Sequence, residues 1–171
     1  VVIDMQVGFM DPAISHACCP MAERIVPAVN RLAAAVRQAG GGVFWIQNTH
    51  DESCETEWTV MQRMVTPAAR ARRNAAMMQG APGHALWPAL DVREGDETVL
   101  KRRFSAFIQG SSDLPARLRA RGFDTVLIGG TVTNGRIEFY LAEGRERLPG
   151  VPMHLGAEEL KIDFDIEGAR M

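Results

Sequence analysis

The sequence predicts a single α/β domain in which a doubly wound, mostly parallel sheet lies between two layers of helices. Three observations favour this three-layer fold: short apolar runs alternate with helical patterns, a strand–helix–strand unit is complete by residue 46, and several strands end in polar or glycine-rich turns. The 171-residue chain is 46% hydrophobic and 23% charged, which suffices to bury a core without disulfides or structural metals. No internal repeat or linker divides residues 1–171.

The first three predicted elements form the strand–helix–strand unit. Residues 1–3 are an apolar run that predicts a buried strand ending at Asp4. Apolar residues recur at helical spacing over Ala22–Gln38, and after three glycines residues 43–46 predict the second strand. Because such crossovers are right-handed and join parallel strands, this unit predicts a parallel sheet covered on both faces.

The later elements are a strand, a helix, a strand, a glycine-rich turn, a helix and an edge strand. They cover residues 98–100, 112–121, 125–128, 129–135, 137–148 and 151–155 in that order. The strand before Lys101 ends in a charged residue, and Ser112 is the expected N-cap of its helix. Pro152 favours an edge position for the last strand.

Residues 50–83 interrupt this alternation and predict an insertion or lid. Their apolar rhythm is weak, and several of their arginines accumulate with no acid among them. These are Arg63, Arg70, Arg72 and Arg73. The favoured interpretation of these arginines is a solvent-exposed helical face, and the alternative is that they bind an anionic substrate.

Charge and hydropathy exclude several classes of partner. A formal net charge of −2 provides no long-range field for nucleic acid or an anionic membrane. No apolar run approaches the roughly 18 residues that a membrane span needs, and the first residues do not have the order of a signal peptide. Three cysteines are a sparse, odd set that fits a reducing compartment, so we expect a cytoplasmic protein.

Charged or glycine-rich positions follow three predicted strands, at Asp4, Lys101 and residues 130–136. Open parallel sheets bind ligands at the carboxyl ends of their strands. A lysine beside an aspartate keeps the carboxylate ionised, and such a carboxylate can serve as a general base. A structural salt bridge, or two unrelated surface residues, is the alternative interpretation.

Three segments, VIDMQVGF at 2–9, VLKRRFSAF at 99–107 and VLIGGTVTN at 126–134, resemble the isochorismatase-like hydrolases in order and separation. That superfamily includes nicotinamidases, N-carbamoylsarcosine amidase, ureidoacrylate-type amidohydrolases and true isochorismatases. The resemblance runs from residue 1 to about 134 and implies a six-stranded parallel sheet, usually in dimers or tetramers.

The resemblance also implies site residues. Asp4 matches the Asp that accepts the proton of a cysteine thiol, and Lys101 matches the Lys that holds the charges of Asp4 and the thiolate. The bond between Val132 and Thr133 matches a non-proline cis peptide that shapes an oxyanion hole. The positions expected to line the substrate pocket are Gln6, Phe9, Phe107 and Asn134.

The chain departs from the family at the nucleophile. The family pattern Thr-(Asp/Asn)-x-Cys is matched here by Thr133, Asn134, Gly135 and Arg136. A guanidinium stays protonated and cannot attack a carbonyl. Four explanations compete: residues lost near Asn134, a sequence altered after it, an inactive relative that only binds, and Cys-independent hydrolysis of the true isochorismatase kind, for which Arg136 leaves little room. Residues 156–171 form an atypical tail that matches no feature of the family.

Other thiols and a metal are weaker candidates. Cys18, Cys19 and Cys54 are expected to be small apolar or loop residues rather than the nucleophile. Some members of the family bind a divalent metal after the second strand, but here His50 stands alone and Asn48 replaces the expected Asp. The sequence therefore predicts no metal and no cofactor.

Together these features predict a hydrolase that cleaves a small C–N amide or ureido bond through an Asp–Lys–(Cys) site whose Cys position is Arg136. Its predicted partners are a small amide-type substrate and further copies of itself. The alternative is a catalytically inactive or altered relative that binds a small ligand or acts only in assembly.

Overall fold

The computed structural model describes residues 1–15, 22–57 and 59–131. Within these residues strands and helices alternate along the chain as the sequence predicts. The strands are β1 (Val2–Ile3), β2 (Phe44–Asn48), β3 (Glu97–Lys101) and β4 (Gly129–Gly130). The α-helices are α1 (Val7–Met10), α2 (Ala22–Gln38), α3 (Cys54–Glu57), α4 (Thr59–Arg63), α5 (Pro67–Met77) and α6 (Leu114–Ala120), and Pro82–His84 is a 3₁₀ turn.

The four strands form one sheet in the order β3-β2-β1-β4, and every neighbouring pair is parallel. This order places β1 and β2 at the centre, and it confirms the predicted parallel sheet. All four carboxyl ends therefore lie along the same edge, which is where a parallel sheet binds its ligands.

Both faces of the sheet are covered. Trp45 of β2 packs in a cluster with Val29 of α2 and Phe9 of α1. Its neighbour Phe44 points to the opposite face and packs with Leu118 of α6. Because successive side chains of a strand point to opposite faces, this alternation confirms the predicted arrangement of helix layers around a buried sheet.

Two predicted boundaries are wrong. Helix α6 begins at Leu114 with Asp113 at the N-cap position, but the side chain that caps it is that of Ser112, whose hydroxyl oxygen accepts from the Leu114 N–H at 3.2 Å while the hydroxyl donates to the Ala106 carbonyl oxygen at 2.7 Å. Residues 125–128 are not a strand, and β4 lies at Gly129–Gly130 instead. The apolar run nevertheless continues along β1, since the Gly129 N–H donates to the Val1 carbonyl oxygen and the Val1 amino group donates to the Leu127 carbonyl oxygen.

The region 50–83 contains α3, α4, α5 and the 3₁₀ turn. The arginines of this region differ in solvent exposure. Arg73 is buried and donates to Gln62 Oε1, whereas Arg63 and Arg72 are exposed. The predicted helix at 137–148, the strand at 151–155 and the tail at 156–171 lie outside the described residues, so the expected total of six strands stays a prediction. In the described part of the chain, no helix is long and apolar enough to cross a membrane.

An ion-pair network fastens the amino-terminal edge of the sheet. Arg37, in the last turn of α2, donates from Nε and Nη2 to the two carboxylate oxygens of Asp96, at 2.9 and 2.6 Å. The Trp45 indole and the Arg93 backbone N–H donate to the same carboxylate. Burial alone would raise the pKa of Asp96, but these donors, Arg37 above all, hold the pKa below its usual value.

Replacing Asp96 with Ala is therefore expected to cost roughly 1.5–3 kcal/mol of unfolding free energy at pH 7, because hydrogen bonds to a charged group are lost. A carboxyl whose folded pKa is depressed stabilises above its unfolded pKa and loses that contribution as pH falls through the folded pKa. The difference between Asp96→Ala and the parent should thus shrink in strong acid. Urea melts at several pH values test this, with Asp91→Ala, the more exposed carboxylate on Arg37, as the milder control.

Candidate active site

The side chains of Asp4 and Lys101 meet at the carboxyl edge of the sheet. Lys101 Nζ lies 2.8 Å from Asp4 Oδ2, and the two side chains are 4% and 14% exposed respectively. Lys101 Nζ also donates to the Phe104 carbonyl oxygen at 2.9 Å, which ties the loop after β3 to the pair. The two residues are contributed by strands on either side of β2, so the sheet itself sets their separation.

Asp4 has an unusual backbone conformation. Its φ of 58° is the only positive value at a non-glycine residue in the described ranges. In a continuous strand Asp4 would point to the same face as Val2, whereas Lys101 lies on the face of Val99. The left-handed turn redirects the carboxylate towards Lys101. Such conformations cost energy and cluster at functional sites.

One oxygen of the Asp4 carboxylate has no hydrogen-bond partner among the described residues. Asp4 Oδ2 accepts from Lys101, while the buried Oδ1 accepts no hydrogen bond from the residues the structure describes. Burial raises the pKa of Asp4 and the Lys101 ammonium opposes the rise. A buried carboxylate with a raised pKa and an open oxygen is suited to accept a proton and return it.

Where the chain turns away from the sheet at Asp4, the Gln6 side chain makes the hydrogen bonds with Asn48 that the backbone of β1 no longer makes. In a continued parallel ladder the Asn48 N–H would donate to the Asp4 carbonyl oxygen. Here Asn48 N donates to Gln6 Oε1 at 2.7 Å, and Gln6 Nε2 donates to the Asn48 and His84 carbonyl oxygens at 3.1 and 2.8 Å. The fully buried carboxamide thus substitutes for a backbone peptide unit.

A buried polar network joins β2 to the 3₁₀ turn beside this site. The His84 carbonyl oxygen accepts from Gln47 Nε2 at 2.7 Å, and His84 Nε2 lies 2.8 Å from Thr49 Oγ1. Burial lowers the pKa of His84, so the neutral imidazole is favoured at neutral pH. These contacts fix the carboxyl end of β2 between Asp4 and Lys101.

A second acidic residue anchors the start of the region 50–83. Asp51 accepts from Ser53 Oγ at 2.6 Å and from Arg102 Nε at 2.6 Å, and the Ser53 hydroxyl and the Arg102 guanidinium help to hold its pKa below the usual value. Cys54 follows as a free, buried cysteine, and burial raises the pKa of its thiol. A raised pKa disfavours the thiolate, and the thiol lies 3.9 Å from Asp51 Oδ1.

The other predicted site residues are placed differently. Phe9 is buried in the apolar cluster with Trp45, and Phe107 is 43% exposed on the loop after β3. Both hydrogens of the Gln6 carboxamide are used by backbone carbonyl oxygens, so its expected contact with substrate stays a prediction. Four predicted site residues lie outside the described residues: Val132, Thr133, Asn134 and Arg136. Cys18 and Cys19, which are not expected at the site, also lie outside them.

Sequence reasoning missed Thr131 and His84. Thr131 Oγ1 donates to the Asp4 carbonyl oxygen at 2.7 Å, and His84 holds Gln6 and Gln47 through its carbonyl oxygen. The position of Thr131 directly after a Gly-Gly pair was a signal for the first. No local sequence pattern indicates the role of His84, because its partners are 35 or more residues away in the sequence.

The described residues offer no cluster of three or more His, Cys, Asp or Glu that could hold a metal ion. At the position considered for a metal, His50 Nδ1 lies 3.0 Å from Asn74 Oδ1, and Asn48 presents an amide rather than a carboxylate. An imidazole with amide neighbours is a poor donor set for zinc.

Sequence comparison finds that the Isochorismatase domain family matches residues 1–147. A ureidoacrylate amidohydrolase, RutB, from Methylorubrum extorquens is 33% identical over 163 residues, covering 86% of this chain and 63% of the relative. An uncharacterized isochorismatase family protein, YwoC, from Bacillus subtilis is 27% identical and covers 81% of this chain and 65% of the relative. The chain thus spans less than two thirds of the length of these relatives.

Solved structures share the fold. A cysteine hydrolase from Pseudomonas syringae pv. phaseolicola superposes with a TM-score of 0.64 at 27% identity, covering 78% of this chain and 58% of that chain. The N-carbamoylsarcosine amidase from Thermoplasma acidophilum superposes with a TM-score of 0.56 at 23% identity, covering 75% and 64%. The second likeness concerns the fold alone.

Proposed function

We propose that this chain, which belongs to the isochorismatase family, carries the acid–base part of a site that hydrolyses a C–N bond of a small amide or ureido compound when a thiol stands at position 136, with Asp4 as the acid–base group. The observation that carries the proposal is the Asp4 carboxylate, whose Oδ2 is bonded to Lys101 while the buried Oδ1 has no partner among the described residues. The similarity to a ureidoacrylate amidohydrolase supports the substrate class.

The chemistry follows from the two carboxylate oxygens. Lys101 stabilises the ionised form of Asp4 through Oδ2, and Oδ1 accepts the proton of a nucleophile that attacks the carbonyl carbon. The C–N bond then breaks while Asp4 returns that proton to the departing nitrogen. Water completes the cycle by releasing the acid product, so one water is consumed for each amine or ammonia released.

Position 136 decides whether a nucleophile is present. Arg136 cannot attack a carbonyl, so the proposal requires a thiol there for the two-step reaction of the cysteine hydrolases. The competing function, a relative that binds its ligand without turnover, is favoured by this one residue.

An ammonia-release assay on 3-ureidoacrylate and N-carbamoylglycine tests the proposal. We expect Arg136→Cys to release ammonia and the double variant Arg136→Cys/Asp4→Asn to be slower by about a hundredfold or more, since general acid–base catalysis contributes about 10²–10⁴-fold. A folded Arg136→Cys protein that is inert on both compounds, or that is active without Asp4, contradicts the proposal. Binding of either compound by the inert protein would favour the alternative function.

The expected cytoplasmic location and homo-oligomeric assembly, a dimer or tetramer, belong to the same proposal. They are supported by membership of the family rather than by a contact in the chain. Sedimentation equilibrium measures the assembly directly, and a monomer at micromolar concentration would contradict it.

A further inference from the structure

Asp4 needs a specific restraint to keep its left-handed conformation. Its N–H donates to the Ile46 carbonyl oxygen at 3.1 Å, as in a regular ladder. Its carbonyl oxygen has lost the ladder partner, because the Asn48 N–H donates to the Gln6 side chain. Within the described ranges, the hydrogen bond that this carbonyl oxygen accepts comes from the Thr131 hydroxyl at 2.7 Å.

Thr131 is itself firmly placed. Its N–H donates to the Ile3 carbonyl oxygen at 3.0 Å, and the residue is 5% exposed. The preceding Gly130 allows this close approach, since an added Cβ would meet the Ile3 carbonyl oxygen at 2.1 Å. Thr131 thus connects the end of β4 to the backbone of Asp4 in a buried position.

We propose that Thr131 is a positioning residue whose hydroxyl, through the carbonyl oxygen of Asp4, holds the Asp4 carboxylate against Lys101. The hydroxyl fixes the peptide plane that follows Asp4, and that plane helps to set the left-handed turn. The significance for catalysis rests on the proposed function, whereas the effect on the Asp4–Lys101 pair does not.

Three variants of Thr131 test the proposal in the full chain. Thr131→Val keeps the shape of the side chain and removes the hydroxyl, Thr131→Ser keeps the hydroxyl, and Thr131→Ala is a smaller variant without it. The readout is a ¹³C NMR titration of the Asp4 carboxyl, assigned with Asp4→Asn. We expect the pKa of Asp4 to rise by at least half a unit in Thr131→Val, because the carboxylate moves away from the ammonium that lowers it, and to return in Thr131→Ser.

Thr66→Val is the control, since it removes a threonine hydroxyl that accepts from the Ala69 N–H at the start of α5 and has no contact with Asp4 or Lys101. It should lower stability and leave the titration of Asp4 unchanged. A folded Thr131→Val protein in which Asp4 titrates as in the parent overturns the proposal. If Thr131→Val does not fold, the comparison of Thr131→Ala with Thr131→Ser decides in the same way.

A kinetic readout separates this inference from the proposed function. In the Arg136→Cys background, Thr131→Val should lower kcat by about ten- to a hundredfold with little change in KM, because small misplacements of a catalytic group have effects of up to that size. Thr131→Ser should restore kcat. If Arg136→Cys is inert while Thr131→Val still shifts the titration, the proposed function fails and the positioning role stands.

Discussion

Replacing Lys101 with Met is expected to destabilise the protein by about 3–5 kcal/mol at neutral pH, because it removes one partner of a buried ion pair. The Lys101 and Asp4 side chains are 4% and 14% exposed, so water cannot solvate the carboxylate that remains. The Phe104 carbonyl oxygen loses its donor in the same variant. The methylene stem keeps its bulk in Met, so loss of packing contributes little.

The effect should depend on pH in a defined direction. Burial already raises the folded pKa of Asp4, and without the ammonium of Lys101 the pKa rises further. A carboxyl whose folded pKa is raised contributes stability below its unfolded pKa and loses it as pH rises through the folded pKa. The stability of Lys101→Met should therefore continue to fall with rising pH beyond the point where that of the parent levels off.

Urea melts between pH 4 and pH 8 measure this difference. Arg93→Met is the matched control, since it removes a cation from the exposed pair with Asp91 and should change stability little. If Lys101→Met and Arg93→Met have the same stability at every pH, the pair is a surface contact and Asp4 is not held by Lys101. In the Arg136→Cys background the same variant should also lose the hydrolase activity.

The pairing of Asp4 with Lys101 could be predicted from the sequence for a simple reason. Parallel strands bring their carboxyl ends to one edge, so charged residues that end two apolar runs meet even when they are 97 positions apart. The catalytic roles of the two residues remain a prediction, because they depend on a nucleophile near residue 136.

The sequence could not predict how Asp4 reaches its partner. The residue ends a strand-like run, and no local signal indicates a positive φ at a position where alternation points it to the opposite face. Around Asp4, Gln6 accepts from the Asn48 N–H that a continued ladder would direct to the Asp4 carbonyl oxygen, and the Thr131 hydroxyl donates to that oxygen instead. Tertiary contacts of this kind override the local pattern at Asp4.

The role of Gln6 could not be predicted from local sequence either, because its hydrogen-bond partners are 42 and 78 residues away. Replacing Gln6 with Leu is expected to cost about 2–4 kcal/mol of unfolding free energy. Leu keeps the bulk and removes the carboxamide, which leaves the N–H and carbonyl oxygen of the half-buried Asn48 without their partner. Each buried polar group without a partner costs about 1–3 kcal/mol. The His84 carbonyl oxygen keeps its bond from Gln47, so its loss is smaller. Thermal and urea melts measure the change.

Gln6→Glu is the sharper test of the ladder interpretation. A carboxylate can accept from Asn48 N but cannot donate to the carbonyl oxygens of Asn48 and His84, whereas a protonated carboxyl can donate to one of them. The folded state should therefore raise the pKa of this Glu, and the stability of the variant should be highest in acid and fall as pH rises through that pKa. Gln79→Glu, at an exposed position, should show no such dependence. Equal pH profiles for the two variants would mean that Gln6 does not complete the sheet and is available to contact substrate instead.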